Sequence, residues 1–114
     1  LEHQKTFNFF LNAGIVKQIN DSTLLTLGRI QNTSTFDLFL INTDLQGNER
    51  WRNIFGESGK DDYGFSIEMV NNKIVVGAQT YQNSSVSNTH LFILNNTGNL
   101  VFDTSYFDYN NGGI

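Results

Sequence analysis

The chain has 114 residues, with seven Lys and Arg against eleven Asp and Glu, a net charge of -4, and 13% aromatic but only 16% charged side chains. That length allows one domain at most, with a modest core. Cations scattered this thinly form no stripe able to neutralise phosphates, which excludes a dedicated nucleic-acid binder. The absence of cysteine excludes a disulfide framework and a thiolate metal site, and no apolar run approaches the roughly 18 residues that cross a bilayer.

In chain order, residues 1–13 end in Phe7 to Leu11, which reads as the last strand of a preceding unit. From Gly14 the chain repeats itself: Gly14 overlies Gly64, Gly28 overlies Gly77 and Gly47 overlies Gly98, a spacing of about 50 residues in the range of blade-like repeats. The first unit is residues 14–63, the second 64–111, and 112–114 read as the start of a following one.

Each unit predicts four short strands. The first covers Gly14 to Ile19 and Gly64 to Val70, with Ile15, Lys17 and Ile19 over Phe65, Ile67 and Met69 in period-two alternation. The second covers Thr23 to Ile30 and Lys73 to Thr80, with Leu25 and Leu27 over Ile74 and Val76; the tight turns before it, Asn20-Asp21-Ser22 and Asn71-Asn72, carry side chains that tolerate left-handed backbone. The third, Asp37 to Thr43 and Thr89 to Leu94, is apolar almost throughout and calls for cover on both faces. It turns through Asp44 to Asn48, or Asn95 to Asn99, into a fourth strand carrying Trp51 and Phe55 or Phe102 and Tyr106. Such four-stranded antiparallel units, apolar on both faces, stack on neighbours of their own kind, usually four to eight around an axis. The expected fold is all-β: β-meander blades of a β-propeller, about two of them plus stubs, taken from a longer protein.

The string Asp37-Leu38-Phe39-Leu40-Ile41-Asn42-Thr43-Asp44, Gly47-Asn48, Trp51, Ile54-Phe55-Gly56, Asp61-Asp62-Tyr63-Gly64-Phe65-Ser66-Ile67 and Ile74-Val75-Val76-Gly77 resembles the β-propeller repeats of large secreted and surface proteins of the Bacteroidetes and related bacteria. The second copy departs from it: Asn95 stands for Asp44, Phe102 for Trp51, and the paired Asp is missing from Phe107 to Gly113. The resemblance implies a non-catalytic binding or scaffold segment, extracellular or at the cell surface, whose partners are the adjacent blades of the parent chain and an unidentified protein or glycan ligand. Two alternatives stand beside it. Thr97 to Asp103 looks like the "GNLV" segment of bulb-type mannose-binding lectins, although their Gln-x-Asp-x-Asn-x-Val-x-Tyr signature is absent; and the parent could be a propeller hydrolase or lyase with its active site outside this segment.

No catalytic constellation stands out. Gly56-Glu57-Ser58-Gly59-Lys60 lacks the first glycine, the hydroxyl after the lysine and the helix of a phosphate-binding loop, and reads as a charged connection. His3 and His90 are far apart, with no Cys or second His to complete a zinc site. No cofactor is implied. Trp51 shares its repeat position with Phe102, as a core residue would. The Asn-x-Ser/Thr triplets at Asn20, Asn32, Asn83 and Asn95 fall in predicted turns and add nothing about chemistry. The longer connections, Gln31 to Phe36, Glu57 to Tyr63 and Tyr81 to Asn88, follow even-numbered strands and so should share one rim. Asp61, Asp62, Tyr63 and Tyr81 are the candidate ligand-binding residues there.

Overall fold

Short turns closed by the side chains of Asn20, Asp44 and Asn95, and a left-handed pair at Asn71-Asn72, fold the chain back on itself as two meanders. The computed structural model describes residues 11–32, 34–57, 59–83 and 86–107. Its strands are β1 (Leu11–Asn20), β2 (Thr23–Asn32), β3 (Thr35–Thr43), β4 (Glu49–Phe55), β5 (Asp61–Val70), β6 (Lys73–Tyr81), β7 (Ser87–Asn95) and β8 (Leu100–Phe107). They form two four-stranded antiparallel sheets in the orders β1-β2-β3-β4 and β5-β6-β7-β8. No helix long and apolar enough to cross a membrane occurs among the described residues. Phe7 to Phe10, His3 and residues 112–114 lie outside them. Leu11 to Ala13, expected with the preceding unit, instead pair with β2 as the opening of β1, and β5 likewise begins three residues before Gly64.

The turns between third and fourth strands repeat, whereas those between first and second strands differ: Asp21 and Ser22 do not share the left-handed backbone of Asn71 and Asn72. Asn71 and Asn72 hold φ of 49° and 65° between β5 and β6, the left-handed pair that matches hairpin twist. Between β3 and β4, the Asp44 carboxylate accepts the backbone N–H groups of Gln46 and Asn48 and the Asn48 side-chain amide. Those bonds, the Asn48 amide first, hold the Asp44 carboxyl below its ordinary range. Between β7 and β8, Asn95 Oδ1 accepts the N–H groups of Thr97 and Asn99 in the same way. Gly47 at φ 88° and Gly98 at φ 91° occupy the left-handed position of each turn, where a side chain is disfavoured.

Strand pairing corrects the overlay read from the sequence. Across their two-residue turns, Thr23 pairs with Asn20 and Lys73 with Val70, so Thr23 matches Lys73, Leu25 matches Val75 and Gly28 matches Ala78. In the first strands Gly14 matches Phe65: each is the extra residue of a β-bulge. The third and fourth strands match as Leu40 with Leu91, Ile41 with Phe92 and Trp51 with Phe102. Superposing glycine on glycine had displaced the first two strands by one residue, and a one-residue slip turns every side chain to the opposite face.

The corrected register decides how the sheets meet. The inner face of the first sheet carries Ile15, Leu25, Leu27, Leu38, Leu40, Trp51 and Phe55; that of the second carries Ile67, Met69, Ile74, Val76, Ala78, Phe92 and Leu94, and all of these belong to one apolar cluster. β5 lies across β1, β2 and β3. It can do so because Gly64 has no side chain: a β-carbon there would fall 2.6 Å from Leu27 Cδ2 and 3.3 Å from Leu38 Cδ2. The Phe55 ring meets Phe92 edge to face, with centroids 5.1 Å apart. By register, the positions on the inner face of the first sheet correspond to the outer face of the second, which carries Val75, Leu91, Ile93, Phe102 and Tyr106. The sheets are therefore packed front to back rather than front to front. Phe102 and Tyr106 are 54% and 57% exposed on that outer face, and Phe65 on its bulge is 54% exposed. On the outer face of the first sheet, Phe39 and Ile41 are buried while Val16 is exposed.

Candidate functional site

At one end of the pair the β2–β3 hairpin, the β4–β5 connection and the β6–β7 connection converge on a cavity of about 550 Å³. Thr35 opens it from β3, Gly59 and Lys60 from the connection, Asp61 and Tyr63 from β5, and Tyr81, Gln82 and Asn83 from the end of β6 and beyond. Three of the four residues expected at the rim, Asp61, Tyr63 and Tyr81, line this cavity.

Its walls are fixed from behind. The Tyr63 and Tyr81 rings pack edge to face, centroids 5.3 Å apart at 83°. The Arg29 guanidinium stands 4.2 Å from the centroids of both Phe36 and Tyr63, and its Nη1 is enclosed with no hydrogen-bond partner among the described residues, so the two ring faces meet the charge. Asp61 Oδ1 accepts the Phe36 N–H at 2.9 Å, tying β5 of the second sheet to β3 of the first. Lys60 Nζ donates to Gln82 Oε1 at 2.7 Å and stands 3.3 Å from Glu57.

Asp62 does something else. Successive strand residues point to opposite faces, so Asp62, lying within β5 rather than in a loop, turns inward and is fully buried. Its Oδ1 accepts the Thr80 hydroxyl at 2.6 Å and its Oδ2 the Glu57 backbone N–H at 3.0 Å. Thr80 Oγ1 lies 3.1 Å from His90 Nδ1, and His90 Nε2 lies 2.8 Å from Asp103 Oδ2, with the imidazole stacked on Phe92. Burial pushes the Asp62 carboxyl up to about 6; the bonds from Thr80 and Glu57 oppose the shift, nearby Asp37 adds to it and His90 opposes it.

The order Asp103, His90, Thr80 has the sequence of groups found in a hydroxyl nucleophile relay. Two observations remove that chemistry: Thr80 has no exposed surface, and its proton is directed to Asp62. The buried groups Asp62, Thr80 and His90 are satisfied by one another, by the Glu57 backbone N–H and by Asp103, which is what buried polar groups require. Among the described residues no three His, Cys, Asp or Glu side chains gather closely enough to hold a metal ion.

Sequence reasoning placed Trp51 in the core, where it packs against the apolar cluster. It missed Thr35, Gly59, Lys60, Gln82 and Asn83, although all five fall in the connections it assigned to the rim. It also missed the pairing of His90 with Asp103; the signal available was an acid in the middle of a strand, where Asp is depleted. Comparison of the chain with family models, with curated proteins and with solved structures finds no match to any of them.

Proposed function

We propose that the chain is a non-catalytic scaffold and binding segment of a larger secreted or cell-surface β-propeller, with a ligand taken at the rim where connections from both sheets meet. The observation that carries the reading is the front-to-back packing of two matched sheets. In that arrangement the outer face of the second sheet repeats the positions with which the first sheet covers its neighbour, so a further unit of the same kind fits it. The apolar side chains left on it favour such cover. The repeat resemblance supports placing the parent outside the cell, and the rim cavity supports binding as the role, since propellers present their connections there. The burial of Thr80 and His90 in the Asp103, His90 and Thr80 relay supports a role without catalysis.

Sedimentation of the chain over a wide range of concentration tests the reading. Association that weakens when Phe102 is replaced by Lys agrees with an uncovered stacking face. A monomer with a sharp, concentration-independent melt, indifferent to that substitution, contradicts it.

A further inference from the structure

The rim cavity has a lining specific enough to name a class of ligand, on the reading of that rim as the binding edge. We infer that it takes a neutral saccharide. Charge is the first discriminator. Lys60 is held by Gln82 and Glu57, and the Asp61 carboxylate stands beside it in the lining, so the cavity offers an anion one committed cation next to a repelling carboxylate. The same ammonium opposes a small cation.

Polarity is the second. An apolar ligand would have to desolvate Asp61, Lys60, Gln82 and Asn83 without replacing their bonds to water. A polyol replaces them, because each hydroxyl both donates and accepts. Asp61 uses Oδ1 on Phe36, and its Oδ2 has no donor among the described residues. Gln82 uses Oε1 on Lys60, and its Nε2 has no acceptor among them. One acceptor and one amide donor on the same cavity wall suit neighbouring hydroxyls of a sugar ring. The aromatic pair is the third: Tyr81 is 37% exposed, and Tyr63 is locked between it, Phe36 and Arg29. Rigid rings offer the C–H face of a pyranose an apolar surface without ordering cost. The volume, about 550 Å³, lies in the range of small-molecule sites.

The test is amide chemical-shift mapping of the chain with separate additions of mannose, galactose, N-acetylglucosamine and maltose, and with choline, inorganic phosphate and a peptide mixture as other classes. The expected result is saturable shifts from at least one saccharide at residues 59–63 and 81–83, weakened about tenfold in Tyr81→Ala and also in Gln82→Ala, with the rest of the spectrum unchanged. Shifts at those residues from choline, phosphate or peptide but from no saccharide overturn the saccharide assignment and leave the rim as a binding edge. No shifts there from any probe overturn both. Saccharide shifts that survive both substitutions place the sugar elsewhere and overturn the assignment too.

Discussion

The indole of Trp51 in the first sheet lies against Gly98 in the β7–β8 turn of the second, so closely that a β-carbon on that glycine would fall 2.5 Å from ring atoms Cε3 and Cζ3. Asn53 fixes the same contact by donating to the Gly98 carbonyl at 2.8 Å. Gly98 thus answers to its own left-handed backbone and to a neighbour from the other sheet. Gly98→Ala is expected to destabilise the fold by about 2–4 kcal/mol, combining a strained φ with overpacking. Gly59, at φ 77° but with nothing near its would-be β-carbon, is the control, and Gly59→Ala should cost about 1 kcal/mol. Urea unfolding of the two variants measures the difference.

Matched positions should differ in cost according to which face is covered. Leu40 is fully buried against the second sheet, whereas its counterpart Leu91 is on the outer face and only partly buried. Leu40→Ala should cost about 2–5 kcal/mol and Leu91→Ala less than half as much. Equal losses in paired denaturation curves would speak against front-to-back packing.

A pH dependence follows from Asp62. Its carboxyl is raised to about 6 in the fold, above the ordinary value near 4 of the unfolded chain. The folded state therefore holds a proton that the unfolded state has lost. The stabilisation is fully present below about pH 4 and disappears as pH rises through about 6, an effect of order 2–3 kcal/mol. Asp44, held low, works in the opposite direction and only at pH values near and below 4. Unfolding free energies between about pH 4.5 and 7.5 should fall in the wild type, and Asp62→Asn should flatten that slope. An unchanged slope in the variant would assign the effect to other groups.

The ion pair of Lys17 with Glu68 joins matched positions of the two sheets at 2.9 Å, but both side chains are well exposed, 40% and 62%. Lys17→Ala is expected to change stability by less than about 1 kcal/mol, with any loss vanishing in high salt. Denaturation at two ionic strengths checks this.

The strands and their turns were readable because turn chemistry is local: Asn71-Asn72, Asp44 with Gly47 and Asn95 with Gly98 mark their bends without help from the rest of the chain. The register was not. β6 carries Ile74, Val75 and Val76 in succession, so apolar alternation gave no warning when Gly77 was laid on Gly28, and the bulge at Phe65 has no signature in composition. The rim was legible as a place, since strand parity alone groups the connections. Its membership was not, because reading Asp61 to Tyr63 as a loop hid the alternation that sends Asp61 and Tyr63 to the cavity and Asp62 to the interior.

The front-to-back contact gives the molecule a direction. An interface whose two sides differ has no two-fold axis through it, so identical copies using it cannot finish as a symmetric pair. If further units dock as proposed, each would present the same unmet surface again, and growth would end only when the turn between neighbours brings the last round to the first, or when a polar end unit blocks it. On the proposed stacking, the angle between neighbouring sheets would decide between a closed ring and an open fibre.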